Sequence, residues 1–173
     1  MSNPESEPDP AGETAAPRQD VGATHLALVV ADANRSIDFY ARYARMKVVH
    51  DRQEHGGSRV VWLSDLTRPF VLVLIEGDVE ARLGGFCHLG VGCESRDEVD
   101  RLSAAARADG FLAHGPIDAG YPVGYYAFLR DPDGHNLELS FGQEVGLAVA
   151  RGQKAAVETG AGLDPSTVPD RKS

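Results

Sequence analysis

Cysteine is scarce in this 173-residue chain: only Cys87 and Cys93 are present. Two thiols cannot make a disulfide framework. They sit at even separation in one expected strand, so both should face away from His88 as small buried side chains under a helix. Basic residues are also few, 17 against 26 acids for a net charge of −9. With no clustered Lys/Arg stripe, this balance excludes nucleic acid as the partner. Long apolar runs are missing, which excludes a helical membrane span, and the N-terminus lacks the basic start and apolar stretch of a secretory signal. A cytoplasmic protein without a membrane partner is expected. Residues 1–22 are poor in large apolar side chains, and five acids (Glu5, Glu7, Asp9, Glu13, Asp20) face Arg18 alone across the first twenty. They should form a disordered acidic tail.

What is present is a duplication. Thr24-His25-Leu26-Ala27-Leu28-Val29-Val30 and Cys87-His88-Leu89-Gly90-Val91-Gly92-Cys93 each put a histidine second in an apolar, strand-like run. A helix should follow each, over 32–44 with Asp32 as cap and over 95–109 with Ser95 and Glu98 as a capping box and Gly110 at its end. Both helices start seven residues after the histidine (32 − 25 and 95 − 88). Strands are expected at 24–30, 46–54, 58–65 and 69–76, then at 86–93, 111–117, 124–130 and 135–142, with a turn at His55-Gly56-Gly57-Ser58. The segment from Arg59 to Asp65 aligns with that from Tyr125 to Asp131, placing Trp62 over Phe128. The last strands align without a gap, placing Val73 over Glu138. The fold class is therefore α+β, two paired βαβββ modules (24–77 and 86–142) within a domain spanning 23–142, forming a cup-shaped mixed sheet. Residues 143–173 lose the strand pattern. Val145 to Ala150 should form a short helix or arm against the domain, with a frayed tail from Gly160.

In strands only alternate side chains reach one face. His25 and His88 on the first strands and Glu138 on a last strand should meet in the cup. Two imidazoles and one carboxylate suit a divalent transition metal, and that set with open positions is the facial triad of Fe(II) oxygen chemistry. Glu76 lies three residues from Val73 and should point to the other face. Trp62, Val73 and Phe128 make the expected pocket walls, suited to a flat oxygenated small molecule.

These modules, with Ser36-Ile37-Asp38-Phe39-Tyr40 and the run Phe128-Leu129-Arg130-Asp131-Pro132-Asp133-Gly134-His135-Asn136-Leu137-Glu138, resemble the vicinal oxygen chelate superfamily. The resemblance covers residues 24–142. That superfamily includes glyoxalase I, extradiol ring-cleaving dioxygenases, fosfomycin-modifying thiol transferases and bleomycin-resistance proteins. It implies a metal-centred cup in which two neighbouring substrate oxygens chelate the ion.

Glyoxalase I resemblance would call for carboxylates at both Val73 and Glu138, and valine cannot ligate. The spacings 88 − 25 and 138 − 88 instead resemble the extradiol arrangement. An extradiol-type dioxygenase using Fe(II), or Mn(II), is the leading expectation. A glyoxalase I-like lyase or isomerase using Ni(II) or Zn(II) is the alternative, and a small-molecule binding or resistance protein the third. The extradiol pattern has tyrosine where this chain has Phe128, and acid/base histidines near Val73 and Tyr121 that have no match. Tyr126, sharing strand parity with Phe128, is the expected catalytic replacement; Tyr121, His50 and His114 are further candidates. Arg130 is one anion contact a thiol-transferase reading would offer. A homodimer is expected, with the cup closed within one chain or between two.

Overall fold

In the computed structural model, residues 22–53 and 57–158 are described. The acidic head apart from Gly22, part of the expected turn at 54–56 and the tail from 159 lie outside them. The order is β1 (His25–Val30), α1 (Ala33–Ala44), β2 (Lys47–Gln53), β3 (Arg59–Ser64), β4 (Val71–Glu76), β5 (Leu89–Gly92), α2 (Arg96–Ala108), β6 (Leu112–Asp118), β7 (Tyr125–Arg130), β8 (Asn136–Phe141) and α3 (Val145–Glu158). Each module builds one four-stranded sheet, ordered β1-β4-β3-β2 and β5-β8-β7-β6. In each, the first strand runs parallel to the last and the remaining pairs are antiparallel.

Local chemistry sets these elements. Asp32 caps α1 by accepting from the amides of Asn34 and Arg35, and Ser95 caps α2 by accepting from Glu98. A side-chain oxygen there satisfies amides that lack an intrahelical partner. The α2 helix ends at Ala108 with Asp109 as its cap residue, and Gly110 follows at φ 82°, the left-handed conformation glycine tolerates. Leu28, Val30, Val61, Leu63, Leu72 and Leu74 of the first sheet and Ala127, Leu129, Leu137 and Leu139 of the second enter one core with the helices. The opposite parity, His25, Ala27, Val29 and Trp62, stays exposed.

The modules are joined on their helix sides. Phe39 of α1 meets Phe111 edge-on at 5.1 Å between ring centroids. Buried Asp131 accepts from the Tyr40 hydroxyl at 3.0 Å and from the amides of Asp133 and His135. His135 is also buried; its Nδ1 accepts from the Leu83 amide at 3.1 Å, leaving Nε2–H to donate to the Val29 carbonyl of β1 at 2.9 Å. Burial and the Asp131 carboxylate hold the Tyr40 phenol far above its ordinary value, so it remains a donor. The run Asp131 to His135 is thus the hinge-pin between modules.

Three expectations are corrected. The strand expected over 86–93 spans only Leu89–Gly92, because the preceding backbone is used elsewhere: the Asn136 side chain donates to the carbonyls of Gly85 and Cys87. Cys87 therefore lies outside the strand and is exposed, while Cys93 is half-buried, its thiol pushed up to about 11 mainly by burial. The helix expected over 145–150 runs to Glu158, yet none of its residues is buried.

Tyr40→Phe removes the hydroxyl donor from buried Asp131. It is expected to destabilise the fold by about 1–3 kcal/mol in urea titration, with secondary structure unchanged in the folded baseline.

Candidate metal centre

The second sheet brings His88 and Glu138 together. Glu138 stands opposite Gly90 of β5 and Phe128 of β7. Gly90 has no side chain to cover the carboxylate, and a Cβ built there would lie 3.5 Å from Glu138 Oε2. His88 precedes β5 and is held by a hydrogen bond of 2.7 Å between its Nδ1 and the Phe86 carbonyl. A carbonyl can only accept, so Nδ1 carries a proton and Nε2 is the nitrogen turned towards Glu138. Nε2 lies 3.0 Å from Glu138 Oε2. Two acceptors at that distance repel unless a proton or a cation lies with them.

The donors fit a divalent ion. Adjacent ligand atoms with bonds of ~2.1 Å meeting at about 90° stand ~3 Å apart. Glu138 is only 6% exposed and has no Lys or Arg partner among the described residues. A buried carboxylate without a counter-charge is costly. Its second oxygen is fixed: Gln143 Nε2 donates to Oε1 at 3.1 Å, and Ser140 Oγ donates to Gln143 Oε1 at 3.2 Å. Phe128 meets the His88 ring edge-on at 5.1 Å, and Tyr126 meets Phe128 at 5.5 Å.

His25 is on the other sheet. It lines a cavity of about 770 Å³ with Trp62, Val73, Phe70, Ile75 and Arg68, in which neither His88 nor Glu138 takes part. Among the described residues, no group of three His, Cys, Asp or Glu side chains gathers within the chain. The cup expected from the pattern is present as two separate halves. Trp62 and Val73 wall the half with His25; Phe128 and Tyr126 wall the half with His88 and Glu138. Glu76 accepts from the Ala33 amide at 2.9 Å and so caps α1 instead of entering either half. Tyr121 is strongly exposed, Arg130 is exposed, and His50 lies against Trp62 at 5.0 Å. Gln143 escaped the sequence reading because it follows the strand in a loop, where periodicity carries no information on direction.

Paired βαβββ modules presenting two half-cups of matched register define an α+β protein of the duplicated-module class. The family model for the Glyoxalase/Bleomycin resistance protein/Dioxygenase superfamily matches residues 22–139. The chain belongs to that superfamily. An uncharacterized protein of Pseudomonas aeruginosa is 40% identical over 127 residues, covering 71% of this chain and 90% of that one. A putative lactoylglutathione lyase of Brassica oleracea is 32% identical over 124 residues, 66% of this chain but 42% of that protein. Among solved structures, a mutant fosfomycin resistance protein FosX of Listeria monocytogenes, complexed with Mn(II) and dihydroxypropylphosphonic acid, superposes with a TM-score of 0.58 at 20% identity. It covers 76% of this chain and 99% of that one.

Gln143→Ala leaves Glu138 Oε1 without its donor and the carboxylate free to rotate. Titration of the purified protein with Mn(II) by calorimetry is expected to show affinity reduced about 10–100-fold.

Proposed function

We propose that the protein is a metal-dependent vicinal oxygen chelate enzyme whose site closes between two copies of the chain. His25 of one copy joins His88 and Glu138 of the other, and a small molecule with two adjacent oxygens occupies the remaining positions. The observation that carries the metal assignment is His88 Nε2 at 3.0 Å from Oε2 of buried Glu138, a carboxylate with no Lys or Arg partner among the described residues. Closure between copies is supported by the two separate half-cups, by the edge positions of β1 and β5 in their sheets, and by exposed Trp62 on the first cup face. An isologous pair would complete two cups at once.

The chemistry proposed is extradiol-type dioxygenation of an aromatic or enol-keto substrate, with Fe(II) as first choice and Mn(II) as second. When bound, the ion would polarise the two substrate oxygens as a Lewis acid. The chain's own residues do the rest. Glu138 and His88 orient the chelating edge, while Phe128, Trp62 and Val73 exclude water from the ring. Tyr126, half-buried beside Phe128, is the proton carrier proposed in place of the tyrosine missing at position 128. Val73, opposite Ala27 in the first sheet where Glu138 stands opposite Gly90 in the second, cannot supply a fourth ligand. This leaves positions open for substrate and O2.

A glyoxalase I-like lyase or isomerase, with Ni(II) or Zn(II), is the second reading, favoured by the likeness to the putative lactoylglutathione lyase. A binding protein for a flat compound is the third; His88→Ala would then leave ligand affinity unchanged.

Metal analysis of anaerobically purified protein, followed by oxygen-electrode assays of the Fe(II)-loaded form with catechol, separates the readings. Oxygen uptake matched to catechol loss, abolished by Glu138→Gln, is expected. No uptake with any diphenol, together with turnover of the methylglyoxal–glutathione hemithioacetal by the Ni(II) or Zn(II) form, would move the protein to the lyase reading.

A further inference from the structure

One row of side chains crosses the cup side of each sheet, and the histidine at its outer end is used neither by the core nor as a proposed ligand. Across the second sheet His114 stands opposite Phe128, Phe128 opposite Glu138, and Glu138 opposite Gly90. Across the first, His50, Trp62, Val73 and Ala27 make the equivalent row. Directly paired residues share a face of the sheet, so both histidines stand on the cup side.

The same device puts each of them there. The ladder shifts between Val48 and His50 in β2 and between Leu112 and His114 in β6, where a second shift follows between His114 and Ile117. At each shift two residues of the outer strand oppose a single aromatic residue of the inner one. Without the extra residue, alternation would place Val49 and Ala113 opposite Trp62 and Phe128 and turn both histidines to the helix side. A bulge gives up regular pairing and re-aims a side chain, and here it does so at matched places in both modules. Neither imidazole is spent on the core, since both residues are exposed. The His114 imidazole has no hydrogen-bond or ion-pair partner among the described residues.

Neighbouring strands lie ~4.8 Å apart, so two strand widths set the His114 backbone about 10 Å from that of Glu138. Phe128 lies between them, with Tyr126 against its edge. That distance suits a ring carrying adjacent oxygens at one edge and a polar group at the other. An imidazole at the far edge offers an N–H donor to such a group.

We propose that His114 selects the far end of the substrate by hydrogen-bonding a carboxylate carried opposite the chelating oxygens. The assignment rests on the reading that His88 and Glu138 hold the chelating edge, and it narrows the substrate class to carboxylated vicinal diols on a ring. The duplicate, His50, meets the Trp62 ring at 5.0 Å while Val49 lines the first cavity, so it is in the half with Glu138 that the bulged histidine is given a substrate to meet.

The test is calorimetric binding of catechol and of 3,4-dihydroxybenzoate to the Mn(II)-loaded, full-length protein and to its His114→Ala and His114→Gln variants. The preference for dihydroxybenzoate over catechol is expected to be about tenfold greater in the native protein than in His114→Ala, with catechol affinity unchanged. Gln, which keeps a donor, should recover part of it. Equal preferences in native protein and His114→Ala overturn the role of His114 and leave the chelating-edge reading intact. If the metal binds and neither diphenol does, the chelating-edge reading fails and the selection role with it.

Discussion

The orientation of the two modules depends on the buried cluster around Asp131 and His135. A carboxylate removed from water must be met by donors, and Asp131 finds them in the Tyr40 hydroxyl and the amides of Asp133 and His135. His135 then spends both ring nitrogens, one on Leu83 and one on the Val29 carbonyl of β1. Tyr40 belongs to the first module and Asp131 to the second, so the modules meet on the sides their helices cover. The consequence falls on the other faces. Sheets joined through their helix sides leave their cup faces open, and the candidate ligands stand on that side.

This arrangement explains why the chain holds its candidate ligands in two groups. His88 and Glu138 are adjacent because β5 and β8 pair directly. His25 is on the edge strand of the other sheet, facing a largely apolar cavity that Arg68 also lines. The His88–Glu138 pair supplies one imidazole and one fixed carboxylate, a ligand short of the proposed set. The His25 half is chemically incomplete, with an imidazole and no carboxylate. In the proposed assembly each lack is met by the other half of a second copy.

Much of the fold was legible because it is written twice. The matched strands, the helix caps at Asp32 and Ser95, and the alignment of Val73 with Glu138 all follow from period and duplication, and the register pairs Ala27 with Val73 as it pairs Gly90 with Glu138. Alternation also turned Glu76 away from the cup. What alternation cannot give is where one sheet stands relative to another, so the division of the cup came from the structure alone. The exposure of Cys87 was missed because strand parity was carried past the end of a strand shortened by Asn136. The shared placing of His50 and His114 was hidden by offsets of 50 − 25 and 114 − 88 from the first histidines, which differ by one. Gln143 follows the last strand, beyond any periodic signal.

Sharing of the site between copies is the central claim, and subunit complementation tests it most directly. His25→Ala and Glu138→Gln chains, each with its own affinity tag, are co-expressed and the mixed dimer is isolated. Mn(II) binding is then measured on it and on the two parent dimers. Shared sites predict one tight ion per mixed dimer, because one of its two cups combines an intact His25 with an intact His88 and Glu138, and none in either parent. A mixed dimer that binds no more tightly than its parents would contradict the shared site and place the ligands of each ion within one chain.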